Sequence, residues 1–175
     1  KLRLTSFKYF FDFCLKKFMD ANFKIKSLNH TEFLGYFELT DLELEKIGAI
    51  RMTVDKFPGF PCRVSLKDAQ IGEEVILLPY SHHKTTSPYR ASGPIFIRKK
   101  ATTTTFEINE VPLMFNHRLL SLRGYDKNGM MKEASVVEGN TLKESIIKTF
   151  ENEKIEYIHI HNARRGCYNC LVERA

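Results

Sequence analysis

The chain predicts an α+β fold: a single domain on a largely antiparallel sheet, with two or three short helices. Three observations lead there. Short β-prone runs outnumber helical patterns, no strand–helix–strand rhythm appears, and 175 residues suit one domain. Apolar residues at 43% and charged residues at 27% give a globular balance, which excludes a disordered, collagen-like or coiled-coil chain.

Residues 1–18 stand apart. Phe7, Phe10, Phe11, Cys14, Leu15 and Phe18 form an i, i+3, i+4, i+7 stripe, the mark of an amphipathic helix. Such a face would dock on the body, join copies into a homo-oligomer, or lie on a membrane surface. Another reading makes the segment a non-native leader ahead of a natural start at Met19, with 19–175 as the domain; this and docking are preferred to a membrane role. Lys8 and Asp12 break the apolar run, so neither a membrane span nor a signal-peptide core is present there. This segment also holds +4 of the net charge of +6, leaving the body nearly neutral. No basic stripe extends beyond Arg98–Lys100 and Arg164–Arg165, so nucleic acid is not an expected partner.

From Met19 onward, Phe23–Leu28 alternates as a strand, and Thr31–Phe37 suits a helical turn or two. Thr40-Asp41-Leu42-Glu43 is a capping box opening a short helix that Gly48 ends. Ala49–Val54 is β-prone, and the Pro-Gly-Phe-Pro run after Phe57 is a turn. Cys62–Leu66, Glu74–Tyr80 and Pro94–Arg98 read as strands, with Ser81–Ser92 as a connection. Leu119–Tyr125 and Met130–Val137 flank Asp126-Lys127-Asn128-Gly129, a β-hairpin. Thr141-Leu142-Lys143-Glu144 is a second capping box, opening a helix with Leu142, Ile146, Ile147 and Phe150 on its core face. Tyr157–Asn162 and Cys167–Glu173 close the chain as paired strands.

The closing hairpin is where chemistry is sought. Alternation sends Ile158 and Ile160 to one face and His159 and His161 to the other, about 6.5–7 Å apart along the strand. Two such imidazoles would serve as acid and base, ligate a metal if a third ligand joined them, or simply form a solvated polar face. Cys167 and Cys170 are offset by three, so a continuous strand separates their sulfurs and weakens a metal or redox pair. Tyr168, Cys170 and Val172 read as one core face. Cys167 follows Arg164, Arg165 and Gly166, a setting that favours a thiolate. Ser87–Pro94, with Tyr89 and Arg90, offers a guanidinium, a phenol and hydroxyls for an anion. Cys62 beside Arg63 is a second thiol next to a cation, with core packing as its plainer role. His82 and His83, being adjacent, should face opposite ways and not line one site together.

Lys56–Arg63, Tyr80-Ser81-His82, Ser87–Arg90, Ser92–Phe96, Leu120–Tyr125, Gly129-Met130 and Tyr157–Tyr168 together resemble a bacterial family known as domain of unknown function 1203. The resemblance runs from about Met19 to Ala175 and carries no activity with it. It implies importance for Cys62, His82, Arg90, His161, Asn162, Arg164 and Cys167. Cys170 lies outside the family pattern, and Arg165 stands where proline is commoner.

Two functions follow as expectations. The first is a noncatalytic binding module for a small anionic ligand or a protein partner. Its Cys/His/Arg face would use Arg90, Tyr89, His82, His159, Asn162 and Arg164. The second is a cytosolic thiol-dependent enzyme on a small acidic metabolite, with Cys167 or Cys62 as nucleophile, His161 as base, and Arg90 with Arg164 as anion clamp. Both need Cys62, Arg90, His161 and Cys167 to share one accessible cleft. No metal or cofactor is expected. A cytoplasmic location with reduced cysteines is expected from the lack of a signal peptide.

Overall fold

The computed structural model describes residues 22–175; the expected N-terminal helix and the leader reading lie outside them. Among the described residues eight strands form two sheets in which every paired strand is antiparallel. β1 (Phe23–Lys26), β5 (Leu119–Tyr125), β6 (Met131–Glu138), β7 (Tyr157–Asn162) and β8 (Tyr168–Arg174) make a five-stranded sheet in the order β1-β8-β7-β5-β6. β2 (Ile50–Thr53), β3 (Glu74–His83) and β4 (Ala91–Arg98) make a second sheet in chain order. The α-helices among the described residues are α1 (Asp41–Lys46) and α2 (Leu142–Phe150), with two short 3-10 turns before α1 and two between the helices.

Local chemistry accounts for most boundaries. At α1, Thr40 accepts from the Glu43 backbone while Glu43 reaches back to the Thr40 N–H, so the expected capping box is complete. The box expected at Thr141 does not form. A 3-10 turn over Gly139–Thr141 leads directly into α2, and the Thr141 hydroxyl donates to Glu138 O instead. Cys62–Leu66 is likewise no strand. It is a buried turn held by bridges from Pro61 to Asp68 and from Cys62 to Phe96. The connection expected over Ser81–Ser92 is mostly strand, because β3 and β4 run on past their own sheet's core and leave only a seven-residue tip at 84–90.

Each sheet buries an apolar face against a helix, and the small sheet also covers Val75 on its other face with Val54, Phe60 and Ala69. Leu120, Leu122, Ile158, Ile160, Cys170, Val172, Phe23 and Ile25 alternate inward and meet Leu142, Ile146 and Phe150 of α2. The smaller sheet places Ile76, Leu78, Ile95 and Ile97 against Leu44 of α1, Phe33 and Cys62. The other face of the large sheet receives the far end of β3. Ser87 Oγ donates to Gly129 O at 2.7 Å, and Thr85 Oγ1 donates to Asn128 O at 3.3 Å, docking the β3–β4 tip on the turn between β5 and β6. Gly129 has φ +72° and lies so close to Thr85 that a Cβ there would collide with it.

Candidate functional site

The site begins with the alternation of β7. Residues directly opposite in an antiparallel pair share a face, so Tyr157, His159 and His161 of β7 stand beside Tyr125, Arg123 and Ser121 of β5. On the other flank Leu171 pairs with His159, and an irregularity between Ile160 and His161 brings Tyr168 opposite His161. That extra residue corrects the expected core face of β8. Cys170 packs inward, whereas Tyr168 turns to the histidine side and stacks on His82, ring centroids 5.0 Å apart.

A second irregularity, between Tyr80 and His83 in β3, corrects the reading of the adjacent histidines. With the alternation interrupted, both rings reach the same cluster: His82 lies 5.1 Å from His161, and His83 lies 5.0 Å from His159. His83 donates from Nδ1 to Tyr89 O at 2.7 Å and accepts at Nε2 from the Tyr157 hydroxyl at 2.8 Å. His161 donates from Nδ1 to Gly166 O at 2.9 Å. Tyr125 stacks on Tyr157 at 5.4 Å.

Electrostatics favours the neutral form of His82, His159 and His161. Burial pushes His159 down to about 2, helped by His83, His161, His82 and Arg123. Burial also takes His161 down to about 3, with Arg123, His82 and Arg63 adding to the shift and the Gly166 hydrogen bond opposing it. His82 is lowered by burial, then by His83 and Arg123. Burial raises Tyr168 well above an ordinary phenol. His82 Nδ1, His159 Nδ1 and His161 Nε2 are buried with no hydrogen-bond partner among the described residues. Among those residues no group of three His, Cys, Asp or Glu is arranged to hold a metal ion.

A hollow of about 440 Å³ opens against this cluster, walled by His82, His83, Tyr157, His159 and Leu171, with Lys84 and Arg174 as its cations and Glu156 and Glu173 as its carboxylates. Cys62, Arg90, His161 and Cys167 are not in its lining, so the expected common cleft is not this one. Cys62 is sealed in the core of the small sheet, its sulfur accepting from Arg98 N at 3.4 Å. Cys167 is half-buried, and its sulfur faces Arg165 O at 3.8 Å. Arg90 and Arg164 are exposed, and the Asn162 oxygen accepts from Asn169 Nδ2 at 3.1 Å. Tyr89 stands at the rim, its ring 6.2 Å from Tyr125. Thus His82, His159 and His161 are gathered, Tyr89 borders them, and Cys62, Arg90 and Arg164 do not join them.

Two cations were not singled out by sequence reasoning. Arg123 alternates with Ser121 and Tyr125 in an otherwise apolar strand, a signal readable from period two. Arg63, noted only as a neighbour of Cys62, is buried and donates to Tyr168 O at 2.7 Å and to Pro61 O. Burial brings its guanidinium down to about 10, and Cys167 and Cys62 are the leading groups opposing that shift.

Among the described residues no helix is long and apolar enough to cross a membrane. No curated protein and no solved structure matches the chain significantly. A family model does match, over residues 59–174, a span that contains every histidine, tyrosine and arginine of the cluster. The resemblance read from Met19 is therefore supported from Gly59 onward, and the chain belongs to the family described as Protein of unknown function (DUF1203).

Proposed function

We propose that this protein is a noncatalytic binding module for a small anion, seated on the histidine face of the large sheet. Arg123 carries the reading. It is half-buried, stands opposite His159 in register, and has no carboxylate partner among the described residues. A partly desolvated cation beside His159 and His161, both held neutral by burial, favours an anion. The adjoining hollow of about 440 Å³, lined by Lys84 and Arg174 with Glu156 and Glu173 but not by Arg123, is of a size for a small molecule.

The thiol-enzyme alternative has less support. Arg63 beside Cys167 and Cys62 favours it, but Cys62 is sealed. His161, held near 3, is a weak base at pH 7, about four pH units from the optimum for proton transfer. Titration calorimetry with inorganic phosphate tests the binding reading. Arg123→Gln should weaken phosphate binding about tenfold, the worth of one charge-assisted hydrogen bond. Unchanged affinity in that variant, or no binding of any small anion by the native chain, would remove the proposal.

A further inference from the structure

An open β-sheet ends on two edge strands, each with a row of backbone N–H and C=O groups that no neighbour in the sheet satisfies. Among the described residues β1, β4 and β2 are edges that are closed or short. Asn109 seals β1, its side chain accepting from Phe23 N at 3.0 Å and its N–H donating to Phe23 O at 2.9 Å, and Thr105 bridges Lys26. Along β4, Cys62 bridges Phe96, whose carbonyl accepts from Arg63 N at 3.0 Å. β2 has only four residues, and its Arg51 is held by Asp41 of α1 at 2.9 Å. The remaining edge, β6, is different. It runs for eight residues, and from Lys132 to Val137 its backbone has no partner other than β5 among the described residues. Lys132, Glu133, Ala134, Val136 and Glu138 are exposed.

The order of side chains along β6 selects its partner. A two-fold axis through Ser135 sets a second, antiparallel copy so that Ser135 meets itself, Ala134 meets Val136 and Lys132 meets Glu138. Ala134, Val136 and Glu138 stand opposite Arg123, Ser121 and Leu119 of β5, so they share one face of the sheet. Opposite charges then flank two apolar pairs. Moving the axis to Ala134 or Val136 leaves Lys132 opposite Val136 or Asn140, and an axis at Glu133 sets like charges together, so the Ser135 register is the one that answers both charges. Glu138 has no cation partner among the described residues. Lys132 holds Asp126 at 3.0 Å, and an ammonium group has donors for a second carboxylate. We propose that β6 is a self-recognition edge, across which two copies of the chain join their five-stranded sheets into one continuous antiparallel sheet. This contact does not depend on what the histidine face binds. A single strand edge is smaller than a standard interface, which places the dimer in the micromolar range or weaker.

Sedimentation equilibrium of the full chain at pH 7, from about 1 μM to about 1 mM, should show monomer and dimer in exchange. Glu138→Lys breaks no ion pair among the described residues, sets two lysines opposite one another at each end of the contact, and should weaken the dimer about tenfold. Lys132→Glu should weaken it similarly by opposing glutamates. An equimolar mixture of the two variants restores both opposite-charge pairs and should associate more tightly than either variant alone, and so should the double variant K132E/E138K. Urea denaturation shows whether each variant is folded; Glu138→Lys and the double variant carry the test even where Lys132→Glu, deprived of its Asp126 pair, folds poorly. A native chain that stays monomeric throughout would overturn the proposal. So would a dimer that Glu138→Lys leaves unchanged, or a double variant that associates no better than Glu138→Lys alone.

Discussion

The two faces of the five-stranded sheet are made by the same strands and obey opposite rules. On one, Leu120, Leu122, Ile158, Ile160 and Val172 close against α2 with no polar atom to satisfy. On the other, Arg123, Tyr157, His159, His161 and Tyr168 meet His82 and His83, and three ring nitrogens stay unpartnered. Period two writes both faces into each strand, so stability and recognition are carried by alternate residues. The first face is bought with apolar burial, whereas the second holds polar groups in place at a cost in desolvation.

Acid should expose this difference most strongly. His159 and His161 titrate near 2 and 3 in the folded protein and near 6.5 when unfolded. Below about pH 6.5 the unfolded chain therefore binds protons that the folded chain refuses, and stability falls as pH drops from there toward 3. The loss by pH 4 is on the order of 3 kcal/mol per histidine. Urea denaturation at pH 7 and pH 4 measures it, and a His159→Gln/His161→Gln double variant should flatten the slope. An equally steep slope in that variant would mean that the histidine face is not the acid-sensitive one.

Core truncation comes next. Leu122→Ala on the apolar face should cost about 2–5 kcal/mol in chemical denaturation. His159→Phe, on the opposite face and also buried, should stay within about 1 kcal/mol, because it removes a nitrogen that has no partner. Comparable losses for the two would contradict the division of labour between the faces. The smallest effect belongs to Val136, which pairs with Ser121 on the histidine face but is exposed on edge strand β6. Val136→Ser should shift stability by less than about 0.5 kcal/mol; a larger change would extend the buried cluster to that edge.

Legibility in the sequence followed regularity of backbone. The His159/His161 pair, the inward Ile158/Ile160 pair, the Thr40 capping box and the core stripe of α2 were readable because ideal periods hold there. The relation of His82 to His83 and the orientation of Tyr168 were not, since each depends on one extra residue in a strand. Nothing in the local sequence marks such a bulge. Arg123 was legible in principle but was hidden inside a strand read only for its apolar residues. The meeting of β3 with β7 is a tertiary event that no short-range pattern encodes, and so the cluster was only half seen.

The docking of the β3–β4 tip at Ser87, Thr85 and Gly129, together with the His83–Tyr157 hydrogen bond and Arg63 between Phe96 and Tyr168, makes the cluster a joint property of the two sheets. Any occupant touching both His82 and His159 is then a cross-brace. By mass action it would draw the two sheets into one cooperative melting unit and slow amide exchange in both, even in strands it never touches.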